Sequence, residues 1–178
     1  MQAKWRANQA ADTPDDVVFD HLLTAAFPDQ ALGRPILGTA ETVRSFDGAR
    51  LNDYMSTHYG ASGLVLAGAG AVDHGDLVKL GDSLFTDLPS TAANALPPTR
   101  FMGSDRREEK DLEQVHLTIG FEGVPYGDAD YYVAQVFSAI LGGGMSSRLF
   151  QEVREKRGLC YSVYSFNWSF EGTGLFGV

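Results

Sequence analysis

A neutral imidazole is the side chain best suited to hold zinc and to move a proton near neutral pH. The chain offers four, His21, His58, His74 and His116, and no two lie closer than 16 residues. Zinc sites usually take two ligands from one local motif, such as an i, i+4 pair on a helix. The spacing therefore favours four separate surface or core histidines over a metal centre. The single cysteine, Cys160, closes no internal disulfide and fits a reducing compartment.

Two glycine-rich stretches invite other chemistry. The first, GAGAVDHGD at 68–76, follows an apolar run and opens a helical pattern, the context of a dinucleotide-binding turn. Its third glycine position holds Asp73, whose charge at a helix start opposes a pyrophosphate, and no Lys-Ser or Lys-Thr pair follows. An ordinary strand, turn and helix is the simpler reading. The second stretch is GGGMSSRLFQEVREKRGLCYSVYSF, beginning at Gly142. Gly142, Gly143 and Gly144 end one helical pattern, where a residue with positive φ is expected, and leave a mobile loop before Ser146 or Ser147 caps the next helix. In that helix Leu149, Phe150 and Val153 form the inward stripe, with Arg148–Glu152 and Glu152–Lys156 as i, i+4 pairs on the wet side. Caps and charge pairs explain most of this segment, but not why Arg154 and Tyr161 bracket the turn at Arg157-Gly158.

These residues need elements to position them. The sequence predicts a helix over 15–26, with Thr13 as N-cap and Pro14 in its first position, then helices over 39–45 and 47–59. GLVLAGAG at 63–70 reads as a buried strand, and Asp73 caps a helix running to about Phe85. The polar, Pro-containing, charge-rich stretch that follows has no apolar period and reads as a linker and boundary over 89–113. Beyond it come a strand in VHLTIGFEG, a helix over 128–141, the glycine segment with its helix, and a strand in YSVYSFNWSF. That last strand puts Ser162, Tyr164, Phe166, Trp168 and Phe170 on one side and Tyr161, Val163, Ser165 and Asn167 on the other. The order indicates a fold of mixed α and β. The closing TGLFGV stops within an apolar stretch, so the chain is expected to be a segment of a longer protein.

Composition sets the outer bounds. With 178 residues, 44% of them hydrophobic and 21% charged, the chain can bury a real core without disulfide or metal staples. A net charge of -9 argues against sequence-independent nucleic-acid binding, which needs clustered Lys and Arg, and favours a basic partner. No apolar run approaches the ~20 residues of a membrane-spanning helix. Neither nucleic acid nor membrane is an expected partner.

The stretch LGGGMSSRLFQEVREKRGLCYSVYSF resembles a segment of the second domain of zinc metallopeptidases of the mitochondrial processing peptidase and insulinase family. The resemblance extends upstream through LGRPILGTAETVRSF, YMSTHYGASGLVLAGAGAVDHGDL and DTPDDVVFDHL. It implies two similar α+β domains, their antiparallel or mixed sheets covered by helices, facing each other around a chamber. In that frame 1–88 is the rear half of the first domain, 89–113 the linker and 114–178 the front half of the second, on the substrate-binding side.

The family's Arg and Tyr, seven positions apart, fall on Arg154 and Tyr161, and its glycine-rich loop on Gly142, Gly143 and Gly144. By resemblance Arg154 and Tyr161 contact the substrate backbone near the scissile bond. A guanidinium and a phenol are donors suited to a carbonyl gaining negative charge, and losing one such donor costs roughly 10²- to 10³-fold in rate. The family's H-x-x-E-H zinc motif, of the inverzincin type, is absent, and Arg6 stands near where its third zinc ligand would fall. The segment is thus expected to carry no catalytic residue and no metal of its own, the zinc belonging to the parent protein.

The reading that follows is part of a zinc metalloendopeptidase processing peptides or presequences. Its partners would be a peptide or unfolded polypeptide substrate and the remaining half-domains or a homologous subunit. The compartment would be a bacterial cytoplasm or a mitochondrial matrix. The alternative is a non-catalytic relative that binds peptides or completes an assembly, and a small-molecule or nucleotide enzyme is the third.

Overall fold

The computed structural model describes residues 13–89 and 97–178, so the expectations placed on Arg6 and on residues 90–96 of the linker lie outside the described residues. The chain forms two compact units. One joins the described residues up to Val43 to Pro98–Val178, and the other is Arg44–Pro97.

In the first unit, helix α1 (Pro14–Ala26) opens with Pro14 in its first turn and Asp15 and Asp16 beside it, groups that suit the amide-rich end of a helix. Three short strands, β1 (Gly120–Gly123), β2 (Phe166–Ser169) and β3 (Gly174–Gly177), form an antiparallel sheet in the order β1-β3-β2. Trp168 stands opposite Leu175, and Asn167 opposite Phe176. Because side chains alternate across a sheet, these two pairs face opposite layers.

On the Trp168 side, Leu22, Ala26 and Phe27 of α1 and the residue after it bury against Leu175, with Phe19, Phe166, Trp168 and Phe170 packed around them. Removing a side chain such as Leu22 or Leu175 from water stabilises the fold by about 1.5–3 kcal/mol. On the Phe176 side lies helix α5 (Tyr131–Gly142), whose Phe137 ring is 5.3 Å from that of Phe176. The expected α+β fold, an antiparallel sheet covered by helices, is present.

Part of the stretch expected to be a linker runs along α1. The amide of Met102 donates to the Ala26 carbonyl at 2.9 Å and the Ser104 hydroxyl to that of Ala25 at 3.0 Å. These are carbonyls at a helix end, which have no partner within the helix. Gln30 exchanges two hydrogen bonds with the Arg100 backbone, both 2.9 Å, and the Phe101 ring meets Phe27 edge-on at 6.2 Å.

The second unit holds helices α3 (Gly48–His58) and α4 (His74–Leu84), and the short α2 (Ala40–Arg44) precedes it. As the sequence predicts, the Asp73 carboxylate caps α4 by accepting from the Asp76 amide at 3.1 Å. That carboxylate occupies the place a phosphate would need.

The strand expected over 63–70 does not form. Residues 64–69 join no ladder, and Val65 is 87% exposed. Leu66 lies against Gly81 of α4, and Leu77 of α4 against Gly68. The residue types are those of a strand, but a strand needs a second chain segment to accept its backbone hydrogen bonds. None of the described residues supplies one.

Candidate functional site

The site grows from how one helix ends. After the glycine loop, helix α6 (Phe150–Glu155) is wound in π fashion, with the Lys156 amide donating to the Gln151 carbonyl five residues back. It closes on Gly158, whose φ of 59° is the left-handed conformation that glycine adopts without strain. The amides of Gly158 and Leu159 take the carbonyls of Arg154 at 2.9 Å and Val153 at 3.1 Å. This is a Schellman-type closure widened by one residue to match the π winding. It reverses the chain, so Arg154 and Tyr161 meet despite the seven positions between them.

The Arg154 guanidinium carbon is 5.6 Å from the centroid of the Tyr161 ring and 4.5 Å from that of Phe150. A guanidinium over an aromatic face is held by the ring quadrupole while its N–H edge stays free to donate. Its approach to the Glu155 carboxylate is loose, 3.7 Å, and Tyr161 is 85% exposed. The sequence places Phe150 only in the inward stripe of the helix. The signal that finds it is its i, i+4 spacing to Arg154, which stacks two side chains on one helical face.

Arg154 stands apart from the neighbouring charge cluster. Glu152 accepts from Lys156 at 2.5 Å and from Arg157 at 2.9 Å, and these bonds, that of Lys156 first, hold its carboxyl below the usual carboxylate range. The Glu152–Lys156 pair is as expected. The second partner is Arg157 and not Arg148, because five-residue winding brings position i+5 round to Glu152.

Gly142 and Gly143 act by space and not by left-handed backbone. The positive-φ glycines among the described residues are Gly38, Gly70, Gly103 and Gly158, so the expected positive φ after α5 is absent. A methyl group on Gly142 would overlap the Ser165 amide nitrogen and lie 2.6 Å from its hydroxyl, and one on Gly143 would meet Ala139 at 2.7 Å. Gly142 therefore lets the chain leading into β2 cross the end of α5. There the Ser165 amide donates to the Gly142 carbonyl at 3.3 Å and the Ser165 hydroxyl to that of Ser138 at 2.7 Å. Gly144 has open space around it.

The loop itself is tied down, since the Gln151 side chain donates to the Met145 carbonyl at 2.8 Å. Ser147 begins the following helical turn through its carbonyl, which accepts from the Gln151 amide at 3.0 Å. Its buried hydroxyl makes no hydrogen bond among the described residues, so Ser147 does not make the expected side-chain cap there.

The histidines lie elsewhere. His21 pairs with Glu108 at 2.6 Å and His116 with Asp15 at 2.8 Å, while the His58 ring stacks on Tyr54 at 4.3 Å. Glu108 is held below the ordinary range, first by its bond from His21 and then by that from Lys110. Two clefts of about 310 and 320 Å³ flank α1 and share His21 and His116; neither is lined by Arg154, Tyr161 or the glycine loop. Among the described residues no group of three His, Cys, Asp or Glu stands close enough together to hold a metal ion. No described helix is long and apolar enough to cross a membrane.

Known proteins are similar to this chain in sequence and in fold. A family model described as the peptidase M16 inactive domain matches residues 45–178. A Rickettsia felis protein named an uncharacterized zinc protease is 40% identical over 168 residues, covering 94% of this chain and 41% of that protein. The mitochondrial-processing peptidase subunit beta of Blastocladiella emersonii is 38% identical over 174 residues, covering 92% of this chain and 37% of its own length.

Among solved structures, a peptidase M16 inactive domain from Pseudomonas fluorescens superposes with a TM-score of 0.80 over 99% of this chain and 43% of that one, at 24% identity. A chain of complex III2 from Candida albicans gives 0.82 over 99% and 44%, also at 24% identity. These two show the fold alone. The chain spans about two fifths of the length of these relatives. On the match over 45–178 and on relatives near 40% identity, the chain belongs to the peptidase M16 family of zinc metallopeptidases and mitochondrial processing peptidases.

Proposed function

We propose that this chain is the substrate-contacting part of a zinc-dependent endopeptidase that processes peptides or presequences. Arg154 and Tyr161 are its contacts to the peptide backbone, beside the glycine loop of Gly142, Gly143 and Gly144. In this reading 1–88 is the rear half of one domain, 89–113 the connection and 114–178 the front half of the next. The zinc and its ligands come from the rest of the parent protein or from a homologous subunit, in a bacterial cytoplasm or a mitochondrial matrix.

One observation carries the reading. The guanidinium of Arg154 is set over the ring of Tyr161 at 5.6 Å, outside the Glu152 charge cluster, and Tyr161 is 85% exposed. A fixed fork of N–H donors next to a free phenol suits a peptide carbonyl that gains negative charge, since both can donate at once without reorganising. A surface ion pair or a core aromatic would have neither property.

The test is kinetic and is made in the full-length protein. Tyr161→Phe is expected to leave Tm nearly unchanged and to lower kcat by about 10-fold or more. Arg154→Lys is expected to fail similarly, because an ammonium lacks the planar fork. Unchanged turnover in both removes these residues from the site.

The second reading, a peptide-binding or assembly subunit without catalysis, is favoured by the description of the matched domain as inactive. Zinc content and peptide cleavage by the full-length protein separate the two. A protein that binds peptide through Tyr161 but holds no zinc and cleaves nothing establishes the second.

A further inference from the structure

We propose that Arg157 is a positioning residue, whose guanidinium closes the last turn of α6 on the Glu152 carbonyl and holds that turn in the register that sets Arg154 against Tyr161. The proposal deepens the reading of Arg154 and Tyr161 as substrate contacts and rests on it, because it names what fixes the first of the two.

The successive carbonyls at the end of α6 show where the register is set. The Gln151 carbonyl accepts from the Lys156 amide, five residues on, while the Val153 carbonyl accepts from the Leu159 amide and the Arg154 carbonyl from the Gly158 amide. Between them, five-residue winding would bring the Arg157 amide to the Glu152 carbonyl. That amide donates to no backbone carbonyl among the described residues. The Arg157 side chain supplies the bond instead, donating from Nη1 to the Glu152 carbonyl at 2.6 Å and to the Glu152 carboxylate at 2.9 Å.

The competing register is that of the ordinary α-helix, in which the Glu152 carbonyl takes the Lys156 amide, four residues on. The two registers differ by one residue per turn, so relaxing from one to the other swings Arg154 and the closure at Gly158 round the helix axis and breaks their present match. Arg157 competes for the carbonyl on which that choice depends. A guanidinium suits the place, because its long stem reaches back across the turn and its charge is matched by the carboxylate of the same residue. Lys156 also donates to that carboxylate, at 2.5 Å, but its ammonium bonds to no backbone carbonyl among the described residues. Lys156 therefore shares the charge pairing without the backbone bond. The Arg157 side chain is 57% exposed, so replacing it opens no core.

The test uses the full-length protein carrying isotope-labelled arginine, followed by NMR and by turnover of a fluorogenic peptide. The Nε–H signal of Arg154, assigned by its absence in Arg154→Ala, is expected upfield of free arginine because two rings flank it. Arg157→Met keeps the stem and removes the donors. It is expected to move that signal toward free arginine and to lower kcat by about 2- to 10-fold, the worth of one net hydrogen bond. In an Arg154→Ala background the same change is expected to leave kcat within about twofold, because the two residues act as one. Lys156→Met removes an equal charge and is expected to leave the signal and kcat as in the parent.

An Arg154 signal unmoved by Arg157→Met overturns the proposal. So does an equal loss of kcat in Lys156→Met, which assigns the effect to charge, or an equal loss in the Arg154→Ala background, which makes Arg157 a contact in its own right. The two readings fail separately. An unmoved signal with a retained Tyr161→Phe effect on kcat removes Arg157 alone, whereas a moved signal with turnover unaffected by Tyr161→Phe and Arg154→Ala removes the substrate contacts and leaves the hold of Arg157 on Arg154.

Discussion

Phe150 stands one helical turn before Arg154, and the centroid of its ring is 4.5 Å from the guanidinium carbon. With Tyr161 5.6 Å away, the guanidinium is flanked by two aromatic rings, which fix a long side chain that would otherwise sample many rotamers. Phe150→Leu keeps an apolar side chain of similar bulk but removes the face. The expected outcome is a stability loss under about 1.5 kcal/mol. If Arg154 is the substrate contact proposed above, a fall of roughly 2- to 5-fold in the kcat/KM of the full-length protein accompanies it, since an exposed cation–π contact contributes about 0.5–1 kcal/mol. Steady-state kinetics beside a thermal melt check it, and a kcat/KM equal to that of the parent would mean that Phe150 does not position Arg154.

Gly142 and Gly144 separate the packing role of the loop from its other roles. Gly142→Ala forces a methyl group onto Ser165, where the chain crosses the end of α5, and is expected to destabilise by about 1–3 kcal/mol. Gly144→Ala meets nothing and is expected to leave stability unchanged or raise it by up to about 1 kcal/mol through the unfolded chain. Urea unfolding of both variants reads the difference, and equal midpoints contradict the close contact.

At Gly158 the backbone and not the space is decisive. Its φ of 59° costs an ordinary residue roughly 1–2 kcal/mol, and no heavy atom stands within 4 Å of where a side chain would begin. Gly158→Ala is therefore expected to lower stability by that amount and Gly158→Asn by less, because asparagine tolerates the left-handed region better. Chemical denaturation of the three proteins orders them, and an alanine variant as stable as the parent refutes the strain.

The Glu108 carboxyl is held down first by His21 and then by Lys110. A depressed carboxylate contributes stability that is fully present above the ordinary glutamate range and is lost as pH falls through its lowered value. His21→Ala is expected to move the Glu108 titration up toward that range without reaching it, because Lys110 remains 3.0 Å away. Carboxyl-carbon NMR titration of parent and variant measures the shift, and superimposable curves dismiss the pair.

What the sequence determined by itself was local. Pro14 with Asp15 and Asp16 marked the start of α1, Asp73 marked the cap of α4, and the alternation of Phe166, Trp168 and Phe170 put these aromatic side chains on one face of the strand. Each of these signals is read within a few residues, where sterics and hydrogen bonding act directly. Likeness to a family carried Arg154 and Tyr161, which composition and spacing could not single out.

The tertiary structure decided what depends on a distant partner. Residues 64–69 have the composition of a strand but, among the described residues, no neighbour to pair with, while the unpatterned 100–108 finds the free carbonyls of α1. The stack of Phe150, Arg154 and Tyr161 likewise needs both the π winding and the reversal at Gly158. A side chain carries its own chemistry, but which groups it meets is set by backbone hydrogen bonds closed elsewhere in the chain, and those appear only in the folded molecule.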